Sequence, residues 1–154
     1  MTVNVDKVEP GVVVETSNVE YKIVTDDGGN YSVKVSAADT QITSVIIPDY
    51  IKINGVKYKV SGIAGGAFKN IKTLKKVTIG KNVTKIPKNA FKGCSALKTI
   101  VIKSKKLTGV GKNAIKGIHK KAVIKCPQNK LKKYQKLFNA KTGFKKKTMK
   151  IKGK

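Results

Sequence analysis

The sequence predicts a repeat solenoid, mainly β with short helical turns, and three observations carry that prediction. The 23-residue phrase from Leu74 to Ala96, LKKVTIGKNVTKIPKNAFKGCSA, is spelled again on either side of itself. With Leu74, Val77, Ile79, Val83, Ile86, Ala90 and Phe91 as the frame, the next copy runs Leu97, Ile100, Ile102, Leu107, Val110, Ala114 and Ile115, a spacing of 23 to 24 residues. An earlier copy has its strand at Ile42, Val45 and Ile47 and its second half at Val60, Ile63, Ala67 and Phe68, stretched by an insertion around Lys52 to Lys59; a later one gives a last strand, Lys121, Ile124 and Cys126, that Pro127 stops. A period in the twenties with one short strand per unit marks a leucine-rich-repeat solenoid, in which no unit buries its apolar face alone and stacking is obligatory.

The phrases AFKN (Ala67 to Asn70), AFKGCSAL (Ala90 to Leu97) and IGKNVTKI (Ile79 to Ile86) resemble the BspA-like, or Treponema-type, leucine-rich repeats of bacterial surface proteins, whose consensus is close to LxxVxIPxxVxxIxxxAFxxCxxL. The resemblance covers Ile42 to Pro127. It implies a secreted or surface-displayed binding module, often an adhesin, and supplies no ligand-contacting motif to carry over. The third copy departs from the pattern, with Ile115 for Phe and Ile118 for Cys.

Before the repeats, residues 1 to 10 read as an irregular leader. Val12 to Val14, Val19 to Val24 and Tyr31 to Val35 then read as β-rich segments, with Asp26, Asp27, Gly28, Gly29 and Asn30 as the turn of a hairpin. Such a hairpin would cap the open end of the first repeat. Asn54-Gly55 predicts a further hairpin, projecting from the first unit, between Tyr50 to Ile53 and Val56 to Val60. In each regular unit a short extended piece (Val83 to Ile86, Leu107 to Val110) leads into a helical turn, with Asn89 and Asn113 placed to cap it and Gly93 and Gly117 to end it. Phe68, Phe91 and Ile115 share one inward slot.

At the other end, Leu131, Tyr134, Leu137 and Phe138 fall at helical spacing within Gln128 to Ala140, and Gly143 reads as the stop. This is a C-terminal capping helix, or in a competing reading a basic amphipathic helix on an anionic membrane. Lys145 to Lys154 is a tail with six lysines in ten residues and a short strand at Thr148 to Ile151. The division is thus 1–41 N-terminal β cap, 42–127 repeats and 128–154 capping helix with basic tail, all one cooperative domain.

Strand alternation turns Val77, Ile79, Ile100, Ile102, Ile124 and Cys126 inward and leaves an exposed sheet face. That face carries Ile46, Lys76, Thr78, Thr99, Val101, Lys103, Val123 and Lys125, the candidate ligand-binding surface by analogy with other solenoids.

Charge is unevenly distributed. Residues 1–50 hold all eight acidic residues against Lys7, Lys22 and Lys34, a net charge of −5, whereas residues 51–154 hold 31 lysines and no acid. The second part therefore suits an anionic partner, through lysines that could equally be solvated repeat positions. Arg is absent, and bidentate reading of guanine edges is largely an Arg task, so sequence-specific nucleic-acid recognition is not expected. No run of about 18 apolar residues occurs, and the start MTVNVDKVEP lacks a signal-peptide pattern. Either the protein stays in the cytoplasm or, as the preferred expectation, the chain is part of a longer exported protein with Met1 added, located extracellularly or at the cell surface.

Catalytic and metal chemistry find no footing. His119 is the only histidine, and after Asp49 no carboxylate exists to orient it or to act as acid or base. Cys94 fills the slot of Ile71 and Ile118, Cys126 that of Ile79 and Ile102, so both read as buried free thiols without zinc spacing. The expectation is a non-enzyme without cofactor or metal. Its partner is a host or cell-surface protein or glycan or, alternatively, an anionic wall polymer or membrane lipid held by lysines; a structural spacer is the plainest reading.

Overall fold

The computed structural model describes residues 10–16, 18–27 and 30–154, so most of the expected leader (residues 1–9) and the turn glycines Gly28 and Gly29 lie outside the described residues. At the N-terminal end β1 (Val13–Thr16) pairs antiparallel with β2 (Val19–Asp27), and β2 with β3 (Asn30–Ala38). Val19, Tyr21 and Ile23 of β2 meet Val33 and Val35 of β3 in the core, while Lys22 and Lys34 face outward, the alternation a one-sided sheet requires.

After β4 (Ser44–Ile47), β5 (Tyr50–Ile53) and β6 (Val56–Ile63) form a hairpin through Asn54 and Gly55, whose φ values of 51° and 81° match a turn with two left-handed residues. This hairpin does not project as expected. β6 lies parallel to β3, giving a five-stranded sheet in the order β1-β2-β3-β6-β5. The reason is apolar: Tyr58 and Val60 are fully buried, with the Tyr58 ring 5.3 Å from that of Tyr31.

The repeats build a second sheet. β4, β7 (Lys76–Ile79), β9 (Thr99–Ile102) and β11 (Val123–Cys126) pair parallel and in register, Val45 with Val77, Val77 with Ile100, Ile100 with Ile124. Between them, β8 (Lys85–Ile86) and β10 (Gly109–Val110) pair parallel on a separate edge. Gly80 follows β7 where units approach closely: a Cβ there would lie 2.5 Å from the Ile47 carbonyl oxygen and 2.9 Å from that of Pro48.

The connecting turns hold successive i to i+3 hydrogen bonds rather than a regular helix, and they stack through their backbones. Phe68 N donates to Ala90 O (3.0 Å) and Phe91 N to Ala114 O (2.7 Å), while Ile115 N donates to Thr142 O (2.9 Å). Asn89 and Asn113 are not caps. They sit at φ 60° and 58°, the left-handed region, whereas a capping residue needs an extended backbone. Phe68, Phe91 and Ile115 do share one slot, all fully buried, with the two phenyl rings stacked 5.2 Å apart.

Pro127 does not end the ladder. A 3-10 turn (Gln128–Lys130) leads into α1 (Leu131–Leu137), which stops at Phe138 in extended conformation, five residues before Gly143. The chain then returns through a turn like those of the earlier units and adds β12 (Lys150–Gly153) parallel to β11, two residues later than the expected strand. The parallel sheet thus has five strands, β12-β11-β9-β7-β4. α1 is fastened from within: the buried Tyr134 hydroxyl donates to Ser104 O (2.7 Å) and accepts from Leu107 N (3.1 Å).

Candidate functional site

Two rows of side chains cross the outer face of the parallel sheet. One runs Ser44, Lys76, Thr99, Val123, Lys150 and the other Ile46, Thr78, Val101, Lys125, Lys152, each fixed by strand register. Lys103, just past β9, is exposed and donates its backbone N–H to Ile79 O (2.9 Å). The eight residues expected on this face therefore lie along or beside one sheet, with unequal access. Ile46 is 69% exposed and Lys76, Lys103 and Lys125 are exposed, Thr99 and Val123 are half-buried, and Thr78 and Val101 keep only 8% and 6% of their surface. Thr78 and Val101 sit on inner strands, where flanking side chains wall in a short one. They form the floor and the others the contact surface.

Sequence reasoning missed Lys150 and Lys152, which extend both rows onto β12. The signal was present: Asn-Ala-x-x-Gly occurs at Asn89, at Asn113 and again at Asn139, each time ahead of a strand. The helical insertion between Pro127 and Phe138 hides the third occurrence from a constant-period reading.

The electrostatics of the face are one-signed. Asp49 is the last acidic residue in the chain, and its Oδ1 accepts from Lys81 N (2.7 Å) while its carbonyl accepts from Asn82 Nδ2 (3.0 Å). It serves the loop after β7. No lysine of β11 or β12 has an acidic residue on its own or a neighbouring strand.

Elsewhere, the histidine and the two cysteines have local roles, while the buried Ser36 Oγ and Asn89 Oδ1 have no hydrogen-bond partner. His119 accepts from Lys121 N through Nδ1 (3.1 Å), a local turn contact. Cys94 and Cys126 are free and buried; burial pushes the Cys94 thiol up to about 11, against a smaller lowering from the Ile71 backbone, and raises that of Cys126. Cys94 Sγ lies 2.9 Å from Phe68 O, its hydrogen-bond acceptor. Such thiols are inert packing groups at neutral pH. Among the described residues no group of three or more His, Cys, Asp or Glu could hold a metal ion, and no helix is long and apolar enough to cross a membrane.

Comparison with known proteins agrees with this architecture. The profile of the BspA type leucine rich repeat region matches residues 38–152 in six copies. No curated protein matches. Among solved structures, a leucine-rich repeat protein from Bacteroides capillosus superposes with a TM-score of 0.61 at 20% identity, covering 92% of this chain and 99% of that one. A leucine rich cell surface protein from Faecalibacterium prausnitzii gives 0.58 at 20% identity; 80% of this chain is covered, and the match spans about a third, 35%, of that longer protein.

Proposed function

The chain belongs to the BspA-type leucine-rich-repeat family, and on that premise we propose that it is a non-catalytic binding module displayed at a bacterial cell surface. Its outer sheet face, from Ile46 through Lys76, Thr99, Lys103, Val123 and Lys125, adheres to a host or cell-surface protein or glycan. The observation that carries this reading is the five-stranded parallel sheet with an exposed face mixing apolar groups and lysines, a repeat sheet of the kind solenoids use for recognition. In this reading the N-terminal antiparallel strands (within 1–41) and α1 with the residues after it (128–154) cap a repeat body (42–127), all melting as one unit.

A second reading, retention on an anionic wall polymer or membrane surface through distributed lysines, is favoured by the absence of any acid after Asp49. The two differ in salt response. Binding of the purified chain to matrix proteins, glycans and anionic polymers is measured at about 0.05 M and 0.5 M salt, between which charge-only contacts collapse. Adhesion predicts that one protein or glycan stays bound at high salt and is lost on Ile46→Glu, at an exposed position, and on Val123→Glu, at a half-buried one. Binding that vanishes at high salt and tolerates those changes supports retention. No binding to any member of the panel overturns both.

A further inference from the structure

We infer that the C-terminal end of the outer face is a groove for a linear polyanion, an unbranched chain with one negative charge about every 5 to 7 Å. The inference rests on the retention reading and deepens it by naming the site and the ligand chemistry. An open groove of about 560 Å³ is lined by Lys98, Lys121, Lys147, Lys150 and Lys152, with Val123 among its walls. All five lysines are exposed.

Two features characterise this groove, of which the first, lysine facing lysine, recurs at Lys22–Lys34 and Lys52–Lys57 in the antiparallel pairs. Register places Lys152 of β12 directly opposite Lys125 of β11, and Lys150 opposite Val123. Like charges facing each other across neighbouring strands weaken a sheet, so the pairing is one that stability alone disfavours. The sheet order also puts β12 at the far edge from β4, next to which the last acidic residue, Asp49, lies. Nothing in this part of the chain neutralises the groove, and a bound anionic chain would.

The geometry sets the ligand's spacing. Neighbouring strands lie about 4.8 Å apart and alternate residues along a strand about 6.6 Å apart, so Lys150 and Lys152 in the groove, with Lys125 on the strand beside it, offer positive charge at those intervals. Lysine presents a hydrated point charge without the directional fork of arginine, which suits a run of equivalent anions rather than one shaped group. Val123 and the lysine methylenes give the polymer's uncharged links an apolar bed.

The test is fluorescence anisotropy with labelled poly(glycerol phosphate) and labelled polyglutamate, one a phosphodiester and the other a carboxylate chain. Three proteins are compared: the parent, a groove variant with Lys98, Lys121, Lys147, Lys150 and Lys152 changed to Gln, and a control with Lys81, Lys85, Lys88, Lys105 and Lys112 changed to Gln. The two variants lose the same charge. The expected result is at least about tenfold greater loss of affinity in the groove variant, with its log–log salt slope lowered by about 3.5, near 0.7 for each of the contacts removed. The polymer bound more tightly identifies the source of the charge. Equal loss in the two variants overturns the groove while leaving the retention reading intact, and no binding of either polymer by the parent overturns both. Without polymer the groove variant melts no lower than the parent; a lower melting temperature would contradict the repulsion on which the inference stands.

Discussion

The inner and outer faces of the four strands β4, β7, β9 and β11 have opposite composition. Inward lie Val45, Ile47, Val77, Ile79, Ile100, Ile102, Ile124 and Cys126, none more than 7% exposed. Outward, one residue along in each strand, lie Ser44, Ile46, Lys76, Thr78, Thr99, Val101, Val123 and Lys125, running from 69% exposed to nearly covered. The inner positions answer to one demand, filling a shared core with aliphatic volume. The outer ones answer to none within the chain, which is why they vary and why lysine, even facing lysine, is tolerated there. Folding information sits on one side of the ladder and freedom to bind on the other.

That division can be stressed from its most costly element downward. Phe91→Ala empties a fully buried slot against the stacked Phe68 ring and should cost about 3 to 5 kcal/mol in denaturant unfolding. An unchanged midpoint would show that the slot is not part of the core. Gly80→Ala forces a Cβ against the Ile47 and Pro48 carbonyls, and a loss of about 1 to 3 kcal/mol is expected because backbone rather than a movable side chain must yield. Tyr134→Phe should cost about 1 to 3 kcal/mol, since Ser104 O and Leu107 N each lose their partner in a buried place.

The thiol at Cys94 gives a pH-dependent version of the same comparison. Its folded pKa is raised from 9.0 to about 11, so the folded state holds the proton more tightly than the unfolded one. The resulting stability is fully present below pH 9 and is lost as pH rises toward 11. The stability difference between the parent and Cys94→Ala, measured by urea unfolding at several pH values, should therefore shrink over that window. The smallest effect belongs to the outer face: Ile46→Glu should shift stability by no more than about 0.5 kcal/mol, because the side chain is already in water.

Much of this was legible in the sequence, for one physical reason. Regular units repeat both period and alternation, so the inward slots of Val77, Ile100 and Phe91 and the apolar setting of both cysteines could be read directly. What escaped lay where local and long-range signals part. Asn89 and Asn113 carry a side chain suited to capping, yet stacking against the next turn sets a left-handed backbone that residue type alone does not distinguish from a cap. The β5–β6 hairpin has a strong turn signal, but its parallel pairing with β3 joins segments more than 20 residues apart. At the candidate site, alternation gave the direction of each side chain and not its access, so Thr78 and Val101 were read as contact residues although their neighbours cover them. The last strand was expected two residues early, at Thr148 to Ile151, and as part of a tail rather than of the ladder, because the α1 insertion breaks the period just before it.

The division between faces is tested most directly by lysine acetylation footprinting, read by mass spectrometry with and without the panel member that binds. The account predicts protection at Lys76, Lys103 and Lys125 on the outer face, continuing to Lys150 and Lys152, while Lys69, Lys92 and Lys116 in the stacked turns react at unchanged rates. Protection confined to the turn lysines, with the sheet lysines unaffected, would contradict it and move the binding surface to the other side of the solenoid.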